Sequence, residues 1–157
     1  MKIVFWNLYK KENSNHIRNL LIENNIDIAV FAEYEGLNIS RLKNDNPEYL
    51  IAENMDICDR LLFVYKNEIK HTIRQEQYYY AIHSFSINEK LYIIVGLHLP
   101  SNTHSKSEDG KEEIPHLIND LIEIESKYKT ENTLIIGDFN ANPFDSELIL
   151  AYCIVEN

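Results

Sequence analysis

Four apolar runs of strand length each end in a single polar residue, and this pattern constrains the fold more than any other feature. The four polar residues are Asn7, Glu33, His98 and Asp138. The runs that precede them are rich in β-branched and aromatic residues, which predicts buried strands. In open α/β sheets, ligand sites form at the strand ends. We therefore expect these four side chains to converge on one site.

Helical spacing of apolar residues appears between these runs. It extends over residues 14–25, with Ser14 as the expected N-cap, and over residues 112–128. Residues 146–154 resume an apolar pattern that predicts a further helix. A helix that follows one apolar strand and precedes the next is typical of a crossover connection between the two strands.

The middle of the chain is richer in strands and polar loops. Polar segments at residues 36–46 and 101–111 predict loops. Further strands are predicted over residues 48–53, 60–66, 71–77 and 78–87. The mixture of crossovers and hairpins predicts an α/β (α+β) protein with a mixed sheet. A chain of 157 residues predicts a single domain over residues 1–157.

Charge and cysteine content restrict the function and the compartment. The formal net charge is −10, and no run of Lys or Arg offers a basic face, which argues against tight, non-specific DNA binding by this chain. It leaves open an enzyme whose metal neutralises a substrate phosphate locally. We expect a cytoplasmic protein for three reasons. The two cysteines are distant in sequence, the start shows no signal peptide pattern, and no apolar run reaches the roughly 18 residues of a membrane helix.

Asp138 and Asn140 lie in the segment IIGDFNANP and offer chemistry of their own. Gly137 permits a tight exit from the preceding strand. The Asp138 carboxylate suits a proton acceptor for an attacking water, and the Asn140 amide suits a donor to a phosphoryl oxygen. The structural alternative is an Asx turn, in which both side chains cap local backbone groups.

The other strand ends carry a carboxylate, an amide and an imidazole. Glu33 offers the oxygen ligand that Mg²⁺ favours, and Asn7 either binds the same metal or orients Glu33. His98 suits a donor to a phosphate oxygen or a leaving group. For each residue the alternative is an ordinary strand-end side chain with no chemical role. Four further histidines, His71, His83, His104 and His116, show no metal-ligand spacing, which indicates a structural role.

Taken together, these segments resemble the endonuclease/exonuclease/phosphatase family, which includes pancreatic deoxyribonuclease, AP endonucleases, neutral sphingomyelinases and inositol polyphosphate phosphatases. The matching pieces are FWNL, DIAVFAEYE, VGLHLPS and IIGDFNANP, in the family's order over most of the chain. The resemblance implies metal-dependent hydrolysis of a phosphoester by in-line attack of water, with Mg²⁺ or Mn²⁺ as cofactor.

The resemblance also implies a role for each residue. Glu33 and Asn7 are implied metal ligands, Asp138 aligns or deprotonates the attacking water, and Asn140 stabilises the transition state. His98 matches the deoxyribonuclease and sphingomyelinase branch, since AP endonucleases usually have a tyrosine at this position. The substrate class stays open between nucleic acid, lipid and sugar phosphate.

The sequence departs from the family at its end. Family members continue further and end in a catalytic Asp-His pair, which has no match after Asn140. The family fold is a four-layer sandwich of two sheets covered by helices, so we expect much of the second sheet to be missing. An apolar sheet face would then be exposed and favour self-association.

Two other hypotheses remain open. The first is a catalytically inactive remnant, or a binding module, that keeps the same fold. The second is an unrelated α/β protein whose strand ends are polar by chance. The second predicts that the polar strand ends lie far apart.

Overall fold

The computed structural model describes residues 1–52, 57–100 and 113–140. The predicted loop over residues 101–111 and the predicted helix over residues 146–154 lie outside the described residues. Among the helices in the described ranges, none is long and apolar enough to cross a membrane.

The first sheet combines parallel and antiparallel pairing. In spatial order its strands are β1, β2, β4 and β3. Their bounds are β1 (Ile3–Asn7), β2 (Ile28–Ala32), β3 (Tyr49–Ile51) and β4 (Leu61–Lys66). The β1–β2 pair is parallel, and the chain crosses between the two strands through helix α1 (Ser14–Glu23). The other pairs are antiparallel, so the predicted mixed sheet is confirmed.

The second sheet repeats this plan. Its strands are β5 (Lys70–Glu76), β6 (Tyr80–Ile87), β7 (Lys90–His98) and β8 (Thr133–Asp138), and they are neighbours in that order. The strands from β5 to β7 are antiparallel, whereas β7 and β8 are parallel and are linked through helix α3 (Glu113–Tyr128). Asn88 and Glu89 both have positive φ, as the tight β6–β7 hairpin requires.

Three apolar clusters define four layers. The inner cluster joins the two sheets through residues such as Phe63 of the first and Phe85 of the second. A second cluster packs α1 against the outer face of the first sheet, together with the short helix α2 (Ile39–Asp45). A third packs α3 against the outer face of the second sheet. The predicted sandwich covered by helices is therefore confirmed.

Two local predictions were wrong. The segment predicted as a loop over residues 36–46 contains α2, whose N-cap Asn38 accepts a hydrogen bond from the Arg41 backbone N–H. Only Leu42 of this helix is buried, so it lacks the apolar stripe that reveals longer helices. Helix α1 begins at Ser14, and Asn13 occupies the N-cap position that had been assigned to Ser14.

Strand β8 leaves part of its apolar surface exposed. It forms an edge of the second sheet as far as the described strands extend. Leu134 is 41% exposed and Ile135 is 37% exposed. Self-association through an exposed sheet face stays a prediction.

His71 and His83 form a pair of neutral rings in the core between the sheets. His71 Nε2 lies 2.9 Å from His83 Nδ1, and the His83 ring stacks on Phe63 with 3.8 Å between centroids. Burial is the main reason that the pKa of His71 falls to about 4 and that of His83 to about 3. Both histidines lie away from the polar strand ends, and a purely structural role for them stays a prediction.

We expect the free energy of unfolding to fall as the pH drops below about 6.5, the ordinary pKa of histidine. In that range the unfolded chain binds protons at these histidines while the folded chain does not, so acid favours unfolding. For the fully buried His83 the slope is about 1.4 kcal/mol per pH unit. Urea unfolding of the parent and of His83→Phe between neutral and mildly acid pH measures it. The variant should show a flatter dependence, and parallel curves would contradict this assignment.

Candidate active site

The two parallel pairs bring the polar strand ends to one rim of the sandwich. In the first sheet, Asn7 is paired with Ala32, the residue before Glu33. In the second sheet, His98 is paired with Asp138. The carboxyl ends of parallel strands share one edge of a sheet. The two sheets pack with these edges together, since β8 contacts β1 and β2. The predicted convergence therefore has a direct origin in strand direction.

Side-chain contacts link the two sheets at this rim. Asn7 Nδ2 lies 3.2 Å from Glu33 Oε1 and 3.4 Å from Asp138 Oδ2. His98 Nε2 lies 3.5 Å from the same Glu33 oxygen. An unrelated protein with polar strand ends by chance would scatter these groups, so this geometry contradicts that hypothesis.

The Asn7 amide turns its nitrogen toward the two carboxylates. Its Oδ1 accepts a hydrogen bond of 2.9 Å from the backbone N–H of Tyr9. Its NH₂ group therefore faces Glu33 and Asp138, and the oxygen that would bind a metal faces the chain. This orientation favours the alternative in which Asn7 positions Glu33, and metal ligation by Asn7 stays a prediction.

Glu33 has a backbone conformation that is unusual for its residue type. Its φ is 49°, in the left-handed region that non-glycine residues seldom adopt. Its backbone N–H donates to the carbonyl oxygen of Arg60 at 3.3 Å, which ties the strand end to the start of β4. Its side chain is 26% exposed, so the carboxylate is accessible from solvent. Such local strain is often found at functional sites.

Gly137 places Asp138 for a different reason from the one predicted. A Cβ atom at Gly137 would lie 1.9 Å from the carbonyl oxygen of Leu97 on the neighbouring strand. Glycine is required because the backbones of β7 and β8 approach closely there, and its φ is not positive. The close approach brings Asp138 level with His98.

Asp138 and Asn140 also form the Asx turn of the structural alternative. Asp138 Oδ1 accepts a hydrogen bond of 3.1 Å from the Asn140 backbone N–H, while its Oδ2 faces Asn7. The turn therefore uses only Oδ1 of Asp138, and Oδ2 faces the candidate site. Asn140 has a φ of 43°, and its Nδ2 donates to the carbonyl oxygen of Leu99 at 2.7 Å.

His98 is 7% exposed, and burial lowers its pKa although Glu33 and Asp138 act to raise it. Its Nδ1 has no hydrogen-bond partner among the residues described. The Nε2 atom is the one that faces the carboxylates. The ring is therefore held at the rim with one nitrogen directed into the site.

The donor set fits a hard divalent cation. Two carboxylates, Glu33 and Asp138, approach the single neutral amide of Asn7, and burial lowers the pKa of the neighbouring His98. Mg²⁺ is usually held by one or two carboxylates together with waters. In the described ranges no three His, Cys, Asp or Glu side chains form a group able to hold a metal alone. An open site completed by water and substrate fits both observations.

Sequence reasoning missed one group at the rim. Arg60 and Tyr79 lie beside Glu33 and His98, joined to them by backbone hydrogen bonds, and Tyr78 contacts both Arg60 and Tyr79. The signal in the sequence was the run of three tyrosines at residues 78–80, which was read only as the start of a strand. The other histidines lie elsewhere: His71 and His83 in the core, His16 on α1 and His116 on α3, while His104 is outside the described residues.

The four-layer sandwich is the deoxyribonuclease-like fold of endonucleases, exonucleases and phosphatases. No family model matches the sequence, and no curated protein matches it either. The likeness is therefore one of structure.

Among solved structures, TDP2 from D. rerio, complexed with single-strand DNA product, superposes with a TM-score of 0.66 at 16% identity, over 96% of this chain and 64% of that one. The endonuclease domain of TRAS1, a telomere-specific non-LTR retrotransposon, superposes with a TM-score of 0.67 at 10% identity, over 98% of this chain and 69% of that domain. Sphingomyelinase C from Streptomyces griseocarneus superposes with a TM-score of 0.62 at 11% identity, over 98% of this chain and 68% of that one. The chain thus spans about two thirds of the length of these proteins.

Proposed function

We propose that this chain carries the active-site core of a metal-dependent phosphodiesterase in which water attacks phosphorus. One observation carries the proposal. Asn7, Glu33, His98 and Asp138 come from the ends of separate strands in two sheets. Their side chains form a chain of contacts, from His98 to Glu33, from Glu33 to Asn7 and from Asn7 to Asp138, in which each distance is at most 3.5 Å. The fold, which is shared with proteins named as an endonuclease and a sphingomyelinase, supports the same reaction class.

Each residue has a role in this proposal. Glu33 holds the cation, Mg²⁺ or Mn²⁺, and Asn7 positions the Glu33 carboxylate. A cation held there would supply positive charge that stabilises the phosphoryl group. Asp138 Oδ2 accepts a proton from the attacking water as the water oxygen bonds to phosphorus and the bond from phosphorus to the leaving-group oxygen breaks, and His98 Nε2 donates a hydrogen bond to a phosphoryl or leaving-group oxygen. The Asn140 amide, after release from Leu99, stabilises the charge that develops on phosphorus.

The test is hydrolysis of bis(p-nitrophenyl) phosphate by the chain in the presence of Mg²⁺ or Mn²⁺. We expect turnover that disappears with EDTA and returns when excess cation is added, because the carboxylates alone provide no electrophile. Turnover that persists in EDTA would contradict a metal-dependent mechanism. A matched incubation with Ca²⁺ controls for structural effects of divalent ions.

A binding module with the same fold is the second candidate. None of the histidines in residues 1–157 follows an aspartate, so the Asp-His pair that the family resemblance implies is not among these residues. Such a module would bind phosphoesters without turnover. Cation-dependent hydrolysis in the assay above would exclude it. A cytoplasmic location remains a proposal from the low cysteine content.

A further inference from the structure

Arg60, Tyr78 and Tyr79 form a compact cation–aromatic cluster. Arg60 Nη2 donates to the Tyr78 hydroxyl at 2.6 Å, and its Cζ lies 4.3 Å from the centroid of the Tyr78 ring. The same Cζ lies 5.2 Å from the centroid of the Tyr79 ring. The two rings meet edge to face with 4.8 Å between centroids. These contacts hold the guanidinium and both rings in a fixed arrangement.

Two backbone hydrogen bonds place this cluster beside the candidate active site. The Glu33 N–H donates to the Arg60 carbonyl oxygen at 3.3 Å. The His98 N–H donates to the Tyr79 carbonyl oxygen at 2.9 Å. The backbone of the cluster therefore lies next to the strand ends of both sheets.

The cluster presents free surface and positive charge where the chain is otherwise acidic. Tyr78 is 50% exposed, although it belongs to a packed cluster. Arg60 forms no ion pair within residues 1–52, 57–100 and 113–140, whereas Arg41 is paired with Asp45 and Lys10 with Glu35. A guanidinium has five N–H donors, and one of those on Arg60 is engaged by Tyr78. A ligand with negative charge and a flat face complements such a surface.

We propose that Arg60, Tyr78 and Tyr79 bind the nucleotide adjacent to the scissile phosphodiester of a single-stranded nucleic acid. This subsite rests on the proposed function, which it deepens by naming the substrate class. The base stacks on the open part of Tyr78, and Arg60 contacts the neighbouring phosphate. A choline phospholipid fits less well, because its cationic headgroup would meet the guanidinium that already covers the tyrosine rings.

The subsite is tested by fluorescence anisotropy with a fluorescein-labelled oligothymidylate in EDTA, so that binding is measured without cleavage. We expect Tyr78→Ala and Arg60→Ala each to weaken binding roughly 5-fold or more, since base stacking and phosphate contacts are lost. Tyr78→Phe keeps the ring and should bind within about 2-fold of the parent. Circular dichroism melting of each variant establishes that it is folded.

A matched control exists at the far end of the second sheet. Arg74 stacks on Tyr128 with its Cζ 4.1 Å from the ring centroid, near the end of α3 rather than at the polar rim. Tyr128→Ala should bind the oligonucleotide as the parent does. The subsite is overturned if Tyr78→Ala and Arg60→Ala bind like the parent, if the parent does not bind, or if the parent binds phosphatidylcholine vesicles in preference.

The two proposals fail separately. Bis(p-nitrophenyl) phosphate carries no nucleotide, so its metal-dependent hydrolysis tests the reaction without the subsite. If the chain hydrolyses this substrate but Tyr78→Ala and Arg60→Ala bind the oligonucleotide as the parent does, the subsite alone is contradicted. If oligonucleotide binding depends on Tyr78 and Arg60 but no phosphodiester is hydrolysed, the proposed reaction is contradicted and the subsite is supported.

Discussion

Replacing Glu33 by glutamine is expected to lower kcat/KM for a phosphodiester by roughly 100-fold or more. The substitution keeps the size of the side chain and an oxygen that can accept the hydrogen bond from Asn7 Nδ2, which lies 3.2 Å away in the parent. It removes the negative charge that attracts a divalent cation. The measurement is hydrolysis of bis(p-nitrophenyl) phosphate at saturating Mg²⁺.

Glu48→Gln is the matched control for this variant. Glu48 is exposed and precedes β3, so the same chemical change there should leave the rate within about 2-fold of the parent, as for most surface substitutions. Parental activity in Glu33→Gln would show that this carboxylate does not hold the cation.

Replacing Asp138 by asparagine is expected to reduce kcat by roughly 100-fold or more, with little change in KM, because a general base typically contributes that factor. An asparagine side chain still offers an oxygen to the Asn140 backbone N–H, so the turn observed at 3.1 Å is preserved. The variant lacks the carboxylate that accepts a proton from water. Steady-state kinetics on the same substrate separate the two parameters.

The control is Asp45→Asn, at an exposed ion pair with Arg41. It should leave both kinetic parameters near the parental values, since the exposed pair contributes little. If Asp138→Asn kept the parental kcat, Asp138 would be only the acceptor of an Asx turn. If KM rose while kcat stayed constant, its role would lie in binding.

The convergence of the site was predictable from the sequence because it follows from the direction of buried strands. A strand such as β2 is buried at every position, so its sequence is a continuous apolar run that ends visibly at Glu33. Strand β7 ends in the same way at His98. Parallel pairing with β1 and β8 then fixes where the ends meet.

Other features depend on contacts that no local pattern reveals. Arg60 and Tyr78 are 18 residues apart and meet only because the strands that follow them, β4 and β6, belong to facing sheets. The need for glycine at position 137 comes from the neighbouring backbone of Leu97 rather than from a turn. The direction of the Asn7 amide depends on the backbone N–H of Tyr9, after the strand has ended.

Short elements were also hard to predict, because they bury few residues and therefore leave little apolar periodicity in the sequence. Helix α2 covers two turns and buries only Leu42, so it has little periodicity to detect. Its start depends on the cap at Asn38, and an asparagine is equally typical of a loop. The start of α1 after Asn13 has no side-chain capping hydrogen bond to mark it, so the sequence places this boundary one residue away.

The most direct test of a cation at the strand ends is Mn²⁺ binding measured by electron paramagnetic resonance on the parent and on Glu33→Gln. The parent is expected to remove free Mn²⁺ signal with a stoichiometry of one, and Mg²⁺ should compete for the site. The variant is expected to bind at least about 10-fold more weakly, because it has lost the charged oxygen ligand. Equal Mn²⁺ affinity in the two proteins would contradict the assignment of this rim as a metal site.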